Sequence, residues 1–533
     1  MGMDYQTLVL DYRRAADQDA ARNGTGPAMH PVIVVGAGPV GLTLAIDLAN
    51  RGIPVVLLDD SNRLSNGSRA ICFAKRTLEI FDRLGCGQRL VDKGVSWNLG
   101  KVFFGDDLAY SFNLLPESGH RRPAFINLQQ YYVEGYLADH AATLPHLDIR
   151  WLNRVAGVVP GADFTEVAID TPEGRYHLRC RYLVACDGAR SGVRGLLGLE
   201  SKGRVFNDRF LIADVKMTAA FPTERWFWFD PPFHRNQSVL LHKQPDDVWR
   251  IDFQLGRDAD PEIEKQPDRV IPRIRALLGA DVDFTLEWVS VYTFACSRME
   301  RFRHGPVLFA GDSAHGVSPF GARGANSGVQ DADNLAWKLA LVLGGDAPDS
   351  LLDSYAAERE YAADENILNS TRATDFISPT SHASRVFRDA TLQLAKDYAF
   401  ARRLVNSGRL SVPAVLHGSG LNTPDADVFA GSMVPGAPAA DAPLRIDGGD
   451  DWFLNRLGSD FTLLAFGEDP VTDCPVPLLR ITPTMDSQGL LTTRFDALPG
   501  TVYLLRPDQH VCARWRRYDP AAVQAALNRA KGR

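Results

Sequence analysis

The sequence predicts an α/β chain built from several units. Three observations predict it: a strand, a glycine-rich turn and an apolar-periodic helix starting at Pro31, a strand-dominated stretch over residues 201–295, and a return to strand, turn and helix from Val307. Single cores stop growing near ~250–300 residues, and the chain has 533, so it must hold more than one core. Hydrophobic residues make up 45% and charged residues 23%, ordinary globular usage that excludes wholesale disorder and fibrous repeats. The net charge is -7 and no Lys/Arg block is present, so the electrostatic footprint of a nucleic-acid binder is missing and a small-molecule partner is expected.

Residues 1–30 are polar and rich in small residues and read as an arm that packs late or stays mobile. Pro31 to about Asp60 reads as a βαβ unit: a strand, a Gly-rich turn, a helix stopped by Gly52, and the strand Val55 to Leu58. This is also the most apolar stretch, but Gly36, Gly38, Pro39 and Asp47 interrupt it, so neither a membrane span nor a signal segment is expected. Arg76 to Leu84 and Tyr131 to Ala142 read as helices, and Val155 to Val184 alternates like strands. These elements set residues 31–200 as the first part of a nucleotide-type domain and 201–295 as a sheet-rich insertion. Residues 296–405 are its second part, with a long helix from Ser327 to Leu343. A Pro/Gly/Ala-rich connection (406–440) leads to a last unit, 441–533. The seven cysteines are odd in number and scattered, without CxxC or His/Cys spacing, which predicts a reducing, cytoplasmic setting and no metal site.

Three constellations carry chemistry. The first is Gly36-Ala-Gly38-Pro39-Val40-Gly41 with Asp59 and Asp60 closing the next strand. Glycines at this spacing allow a tight turn and close approach of the backbone to a pyrophosphate at a helix N-terminus, and the acid can accept from ribose hydroxyls. This predicts a dinucleotide without separating FAD from NAD, and no second such fingerprint exists in the chain. The second is Asp187-Gly188 after the strand ending in Ala185, followed by Arg190 and Arg194, two cations able to pair with phosphates. The third is Gly311-Asp312 after Val307-Leu-Phe-Ala, then the loop Pro319-Phe-Gly-Ala-Arg323-Gly324-Ala325-Asn326 entering the long helix, whose N-terminus favours negative charge above it. His315, between these pieces, reads as structural.

From about Pro31 to Val405 these segments resemble the single-component, class A flavoprotein aromatic hydroxylases, the group of p-hydroxybenzoate and phenol hydroxylases, nearest the hydroxyphenylpropionate-hydroxylase type. The resemblance implies a Rossmann-like FAD-binding domain with an inserted mixed α/β, sheet-rich substrate domain and a C-terminal thioredoxin-like domain. It implies tightly held, noncovalent FAD contacted by Gly36, Gly38, Pro39, Val40, Gly41, Asp59, Asp60, Arg69, Gln130, Asp187, Gly188, Gly311, Asp312, Pro319, Gly324, Ala325 and Asn326. It further implies NADPH or NADH as a visiting reductant, a flavin C4a-hydroperoxide that hydroxylates a small aromatic substrate with O2, a role in aromatic catabolism, and a homodimer. Two departures stand out. Arg323 occupies a place where Gln or Lys is common, and Cys474 stands alone in the last unit, so dithiol chemistry is not expected there.

The substrate wall is expected from the inserted sheet. In Trp249 to Leu255, period two puts Arg250, Asp252 and Gln254 on one face and Trp249, Ile251, Phe253 and Leu255 on the other. Arg250, Asp252 and His242 are the catalytic candidates, and Gln254, Arg323 and Pro319 the substrate contacts. The aromatic run Trp226 to Phe233 reads as packing. Its Trp226-x-Trp228-x-Asp230-Pro231 is similar to the Trp-x-Trp-x-Ile-Pro of flavin halogenases, but with Asp for Ile. Other flavin chemistry (halogenation, epoxidation, dehydrogenation) and a noncatalytic FAD-binding redox sensor are the competing expectations.

Overall fold

The computed structural model describes residues 5–19, 26–65, 70–219, 221–405 and 410–533. Five strands run parallel in the order Val307–Phe309, Gly174–Ala185, Ala28–Val35, Val55–Leu58 and Leu147–Arg150. Both faces of such a sheet are covered, which explains why Val32 to Val35 and Val55 to Leu58 read as unbroken apolar runs and are buried throughout. The helices Pro39–Asn50 and Gly324–Gly344 pack on each other over it.

The register decides where function can sit. Val35 stands opposite both Leu58 and Ala185, and Ala185 opposite Phe309, so four strands end level with one another. Gly36, Asp59, Asp187 and Gly311, far apart in sequence, therefore emerge along one edge, at the carboxyl ends where open α/β sheets bind ligands.

A second eight-stranded sheet contains Thr285–Met299, Ser201–Lys216, Val248–Leu255, Ser238–Lys243 and Arg225–Phe229, and it extends beyond residues 201–295 to take in Leu99–Phe104 and Asp107–Asn113 from earlier in the chain. The helix Pro267–Leu278 covers its outer face, where Trp249, Ile251, Phe253 and Leu255 share a core with Val270 and Ile274. A three-stranded sheet, Cys72–Ala74, Phe125–Asn127 and Val95–Trp97, lies between the two large ones. The last unit holds a four-stranded sheet in which Thr462–Phe466 pairs parallel with Leu478–Ile481 and antiparallel with Val502–Leu505, which pairs with Val511–Trp515.

The described part of the N-terminal arm is packed: Tyr5 is buried against Gly135 and the rings of Tyr132 and Tyr136, and Asp17 pairs with Arg150. The stretch 431–440 is an ordered connection, with Gly436 donating to Val511 and Ala439 to Gln509. Among the described residues no helix is long and apolar enough to cross a membrane.

Candidate active site

Gly36 has φ +101°, and a Cβ there would come within 2.5 Å of the Cys186 carbonyl oxygen. A Cβ on Gly41 would collide with the Gly36 carbonyl oxygen, whereas one on Gly38 would meet nothing within 4 Å. The turn is thus closed toward the protein and open above Gly38. That residue begins the helix Pro39–Asn50 without a side-chain cap, leaving backbone N–H groups for a phosphate. Pro39 opens the first turn, and the Val40 side chain faces inward against Gly311 and Gly328, so Val40 offers only its backbone outward.

Asp59 braces the turn. It accepts from the Ala37 N–H at 2.6 Å and the Ser61 N–H at 2.8 Å, while its neighbour Asp60 is exposed. Burial pushes the Asp59 carboxyl up to about 6, against those two hydrogen bonds. Below that pH it is protonated and loses acceptor capacity for ribose hydroxyls; above it the carboxylate is restored. FAD affinity measured by reconstituting apoprotein is expected to rise about tenfold from about pH 5 to about pH 7, and Asp59→Asn to flatten that rise.

Arg69 falls outside the described residues, but both flanks of its loop are held. Gln130 accepts from the Ala70 N–H at 2.9 Å and donates to Glu134 at 2.7 Å, and Glu134 accepts from the Ser65 N–H at 2.6 Å. Glu134 was not singled out from sequence, although its place four residues after Gln130 on one helix was the available signal.

Asp187 accepts from the Val193 N–H through Oδ2, while its Oδ1 is buried with no partner. An orphaned acceptor at this edge fits a hydroxyl-bearing ligand. The two arginines that follow are placed differently. Arg190 is exposed, and Arg194 donates to the carbonyls of Ser313 and Ala189, so it ties the Asp187 and Gly311 segments together.

The Gly311 N–H donates to Asp331 Oδ2 at 2.9 Å, an oxygen that lies 2.7 Å from His315 Nε2, and Asp331 Oδ1 accepts from Arg359 at 2.6 Å. His315 and Asp331 are therefore braces for this turn. Asp312 is exposed yet crowded by protein, and the resulting desolvation holds its carboxyl above the usual range. Exposed Pro319 starts a strained loop: Gly321 has φ +100° and Ala322, despite its Cβ, φ +51°. The long helix begins at Gly324, not Ser327, so Gly324, Ala325 and Asn326 form its first turn, again without a side-chain cap.

The Asn326 side chain is fully engaged within the protein. Its Oδ1 accepts from Ala74 N and Thr77 Oγ1, and its Nδ2 donates to the carbonyls of Cys72 and Ala322, which leaves only backbone for a ligand. What it does is tie the strained loop to the strand Cys72–Ala74.

The second sheet roofs this edge. Phe320 of the loop packs on Phe210 and Phe294, and Ser297 pairs with Gly316. The alternation expected in Trp249 to Leu255 holds, but two of its polar members have other duties. Arg250 donates to both oxygens of Asp214, at 2.9 and 3.1 Å, and Gln254 accepts from Ser238 and donates to Ser378. Arg323 is buried and donates to Asn366 Oδ1 on the helix Leu351–Ile377 at 3.3 Å. Asp252 and His242 retain unpartnered atoms, Oδ1 and Nε2. His242 is held well below its ordinary pKa by burial and by the nearby Arg225 and Arg250 cations, and is neutral. The rings of Trp226 and Trp228 pack on Phe103 in the outer core.

Residues 29–370 match the family model described as FAD binding domain. A probable NADH-specific resorcinol 4-hydroxylase of Rhodococcus jostii (strain RHA1) is 34% identical over 63% of this chain and 63% of its own length. A 3-(3-hydroxy-phenyl)propionate/3-hydroxycinnamic acid hydroxylase of Mycobacterium sp. (strain JLS) is 28% identical over 90% of this chain and 88% of its own. The crystal structure of the flavin-dependent monooxygenase PieE superposes with a TM-score of 0.80 over 95% of this chain and 100% of that one, at 22% identity, which shows a shared fold.

Proposed function

The chain belongs to the FAD binding domain family, and from that membership we propose that it is an NAD(P)H-dependent monooxygenase that hydroxylates a phenolic or related aromatic ring. The observation that carries the reading is the meeting of two surfaces: an edge that fits FAD, and a roof over the strained loop whose inner face holds buried polar groups among aromatic side chains. FAD, once reduced by the nicotinamide cofactor, supplies the activation of dioxygen.

The residues of this chain do the rest. The turn Gly36–Gly41 and the helix N-terminus behind it would hold the pyrophosphate, Asp59 the ribose, and Asp187 and Asp312 the remaining hydroxyls. The first turn of the helix Gly324–Gly344, which has no side-chain cap, would offer its backbone N–H groups to the negative charge of a reduced flavin ring. Phe206, Phe210, Phe294 and Phe320 exclude water above the loop, and Asp252 and His242 supply proton acceptors on the roof. The seven cysteines form no disulfide, which suits a cytoplasmic setting.

The test uses the purified yellow holoenzyme. Resorcinol, nitrophenols and hydroxyphenylpropionate are each expected to be tried, and at least one to accelerate NADH or NADPH oxidation and yield a product one oxygen heavier. No acceleration by any aromatic, or halide-dependent product, defeats the proposal.

A further inference from the structure

Arg225 opens the strand Arg225–Phe229 and is 8% exposed. Period two places it with Phe227 and Phe229 on the face turned to the FAD domain, while Trp226 and Trp228 join the outer core. Its Nη1 lies 3.9 Å from Cys72 Sγ and its guanidinium 5.9 Å from the Trp97 ring. Among the described residues no carboxylate comes within ion-pairing distance of it. Arg250, two strands away on the same face, has both oxygens of Asp214. A buried guanidinium without a counter-charge is costly, and such groups persist where they meet a ligand.

Two further unmatched atoms lie on the neighbouring strands of this face: His242 Nε2 and Asp252 Oδ1, both buried and without partners. His242 Nδ1 is 3.9 Å from the same Cys72 Sγ that Arg225 approaches. The Cys72 carbonyl in turn accepts from Asn326, which holds the strained loop beneath. A cation, an acceptor and a neutral imidazole thus share the inner face of the roof, linked through Cys72 and Asn326 to the strained loop.

Resting on the phenol-hydroxylase reading, we propose that Arg225 binds the ionised oxygen of a hydroxylated ring and that Asp252 takes the proton which that oxygen gives up. The O–H bond breaks, the proton moves to Asp252, and the electron pair stays on the ring oxygen beside the guanidinium, which enriches the ring for attack on an electrophilic oxygen. A cation and a separate carboxylate on one face of the sheet select a phenol that enters neutral over a ring acid that enters charged. The groups facing the pair are Arg250 and Asp214 on the sheet, His242 on the intervening strand, and Cys72 from the sheet opposite. Burial pushes the Asp252 carboxyl up to about 6 against the pull of Arg250 and Arg225, so it is an available base at neutral pH.

The probe is 4-nitrophenol bound to holoenzyme, whose absorption reports its own ionisation. In wild type the bound phenol is expected to ionise at least about one pH unit below the free phenol, a tenfold preference for phenolate. Arg225→Gln should abolish that shift and weaken binding at least about tenfold, with FAD content and circular dichroism unchanged. Arg225→Lys, which keeps the charge, should retain part of the shift. Asp252→Asn should keep binding but lose the acid limb of kcat/KM near pH 6. A wild-type shift and affinity in both Arg225 variants overturns the pocket while phenol-stimulated turnover stands. If wild type neither binds nor turns over any phenol, the hydroxylase reading falls, and the pocket with it.

Discussion

Replacing Arg506 by Ala is expected to destabilise the protein by about 3–5 kcal/mol, the usual cost of removing one partner from a buried ion cluster. Arg506 sits in the last unit but points its guanidinium into the FAD domain. It donates to both oxygens of Glu358 on the helix Leu351–Ile377, at 2.7 and 3.1 Å, and to Asp508. Lys338 on the helix Gly324–Gly344 donates to the same Glu358 at 2.7 Å, and Asp508 accepts from the Trp337 indole at 3.1 Å. Two cations and two carboxylates balance, all fully buried. Without Arg506 two buried carboxylates share the single Lys338 cation, and the neutral donors around them, Asn334, Ser419 and the Trp337 indole, cannot replace the lost charge.

Trp337 makes the loss measurable by fluorescence during urea unfolding, and Arg506→Lys should recover part of it. The Arg506 and Lys338 cations beside Glu358 hold its carboxyl well below its ordinary 4.5, so this contribution is complete above that pH and is lost as the pH falls below it. The gap between wild type and Arg506→Ala should therefore narrow in acid. A change under about 1 kcal/mol at neutral pH would show that the two units are held together elsewhere.

The second large effect is on the cofactor. Gly41→Ala adds one methyl group, which would collide with the Gly36 carbonyl oxygen and lie 3.3 Å from Cys186 Cβ. Gly36 cannot retreat: its N–H donates to Leu58 at 2.7 Å, and the Cys186 N–H to Val35 at 2.7 Å pins the segment behind it. The turn must open, and the N–H groups aimed above Gly38 lose their alignment. FAD affinity is expected to fall at least about a hundredfold, about 2.8 kcal/mol, so that the variant purifies colourless while its far-ultraviolet circular dichroism is kept. A stoichiometrically yellow Gly41→Ala protein would mean that the turn is softer than its hydrogen bonds imply.

Much of the cofactor edge was legible in sequence because its signals are local. Glycines at fixed offsets between an apolar run and a helix report a turn that the chain makes with its own neighbours, and Asp59 lies at the end of the next strand of the same unit. Asp187 and Gly311 were legible for the same reason, each closing a strand whose apolar residues announce it. Sequence could not decide a residue's task where that task depends on a partner. Arg194, Asn326, Gln254 and Arg323 are polar residues in promising places, and each hydrogen-bonds to a distant segment.

What the sequence by itself determined is the unit of strand, turn and helix that takes a dinucleotide, along with the alternation that gives the roof a polar face. Tertiary structure alone decided which polar residues on that face are spoken for. Arg225 and Arg250 are the same residue type, each on a strand of one sheet. Strand register puts Asp214 against Arg250 and, among the described residues, no carboxylate against Arg225. That difference arises from pairing between strands more than thirty residues apart, where the energy of a buried charge depends on what lies across from it rather than on what adjoins it in the chain.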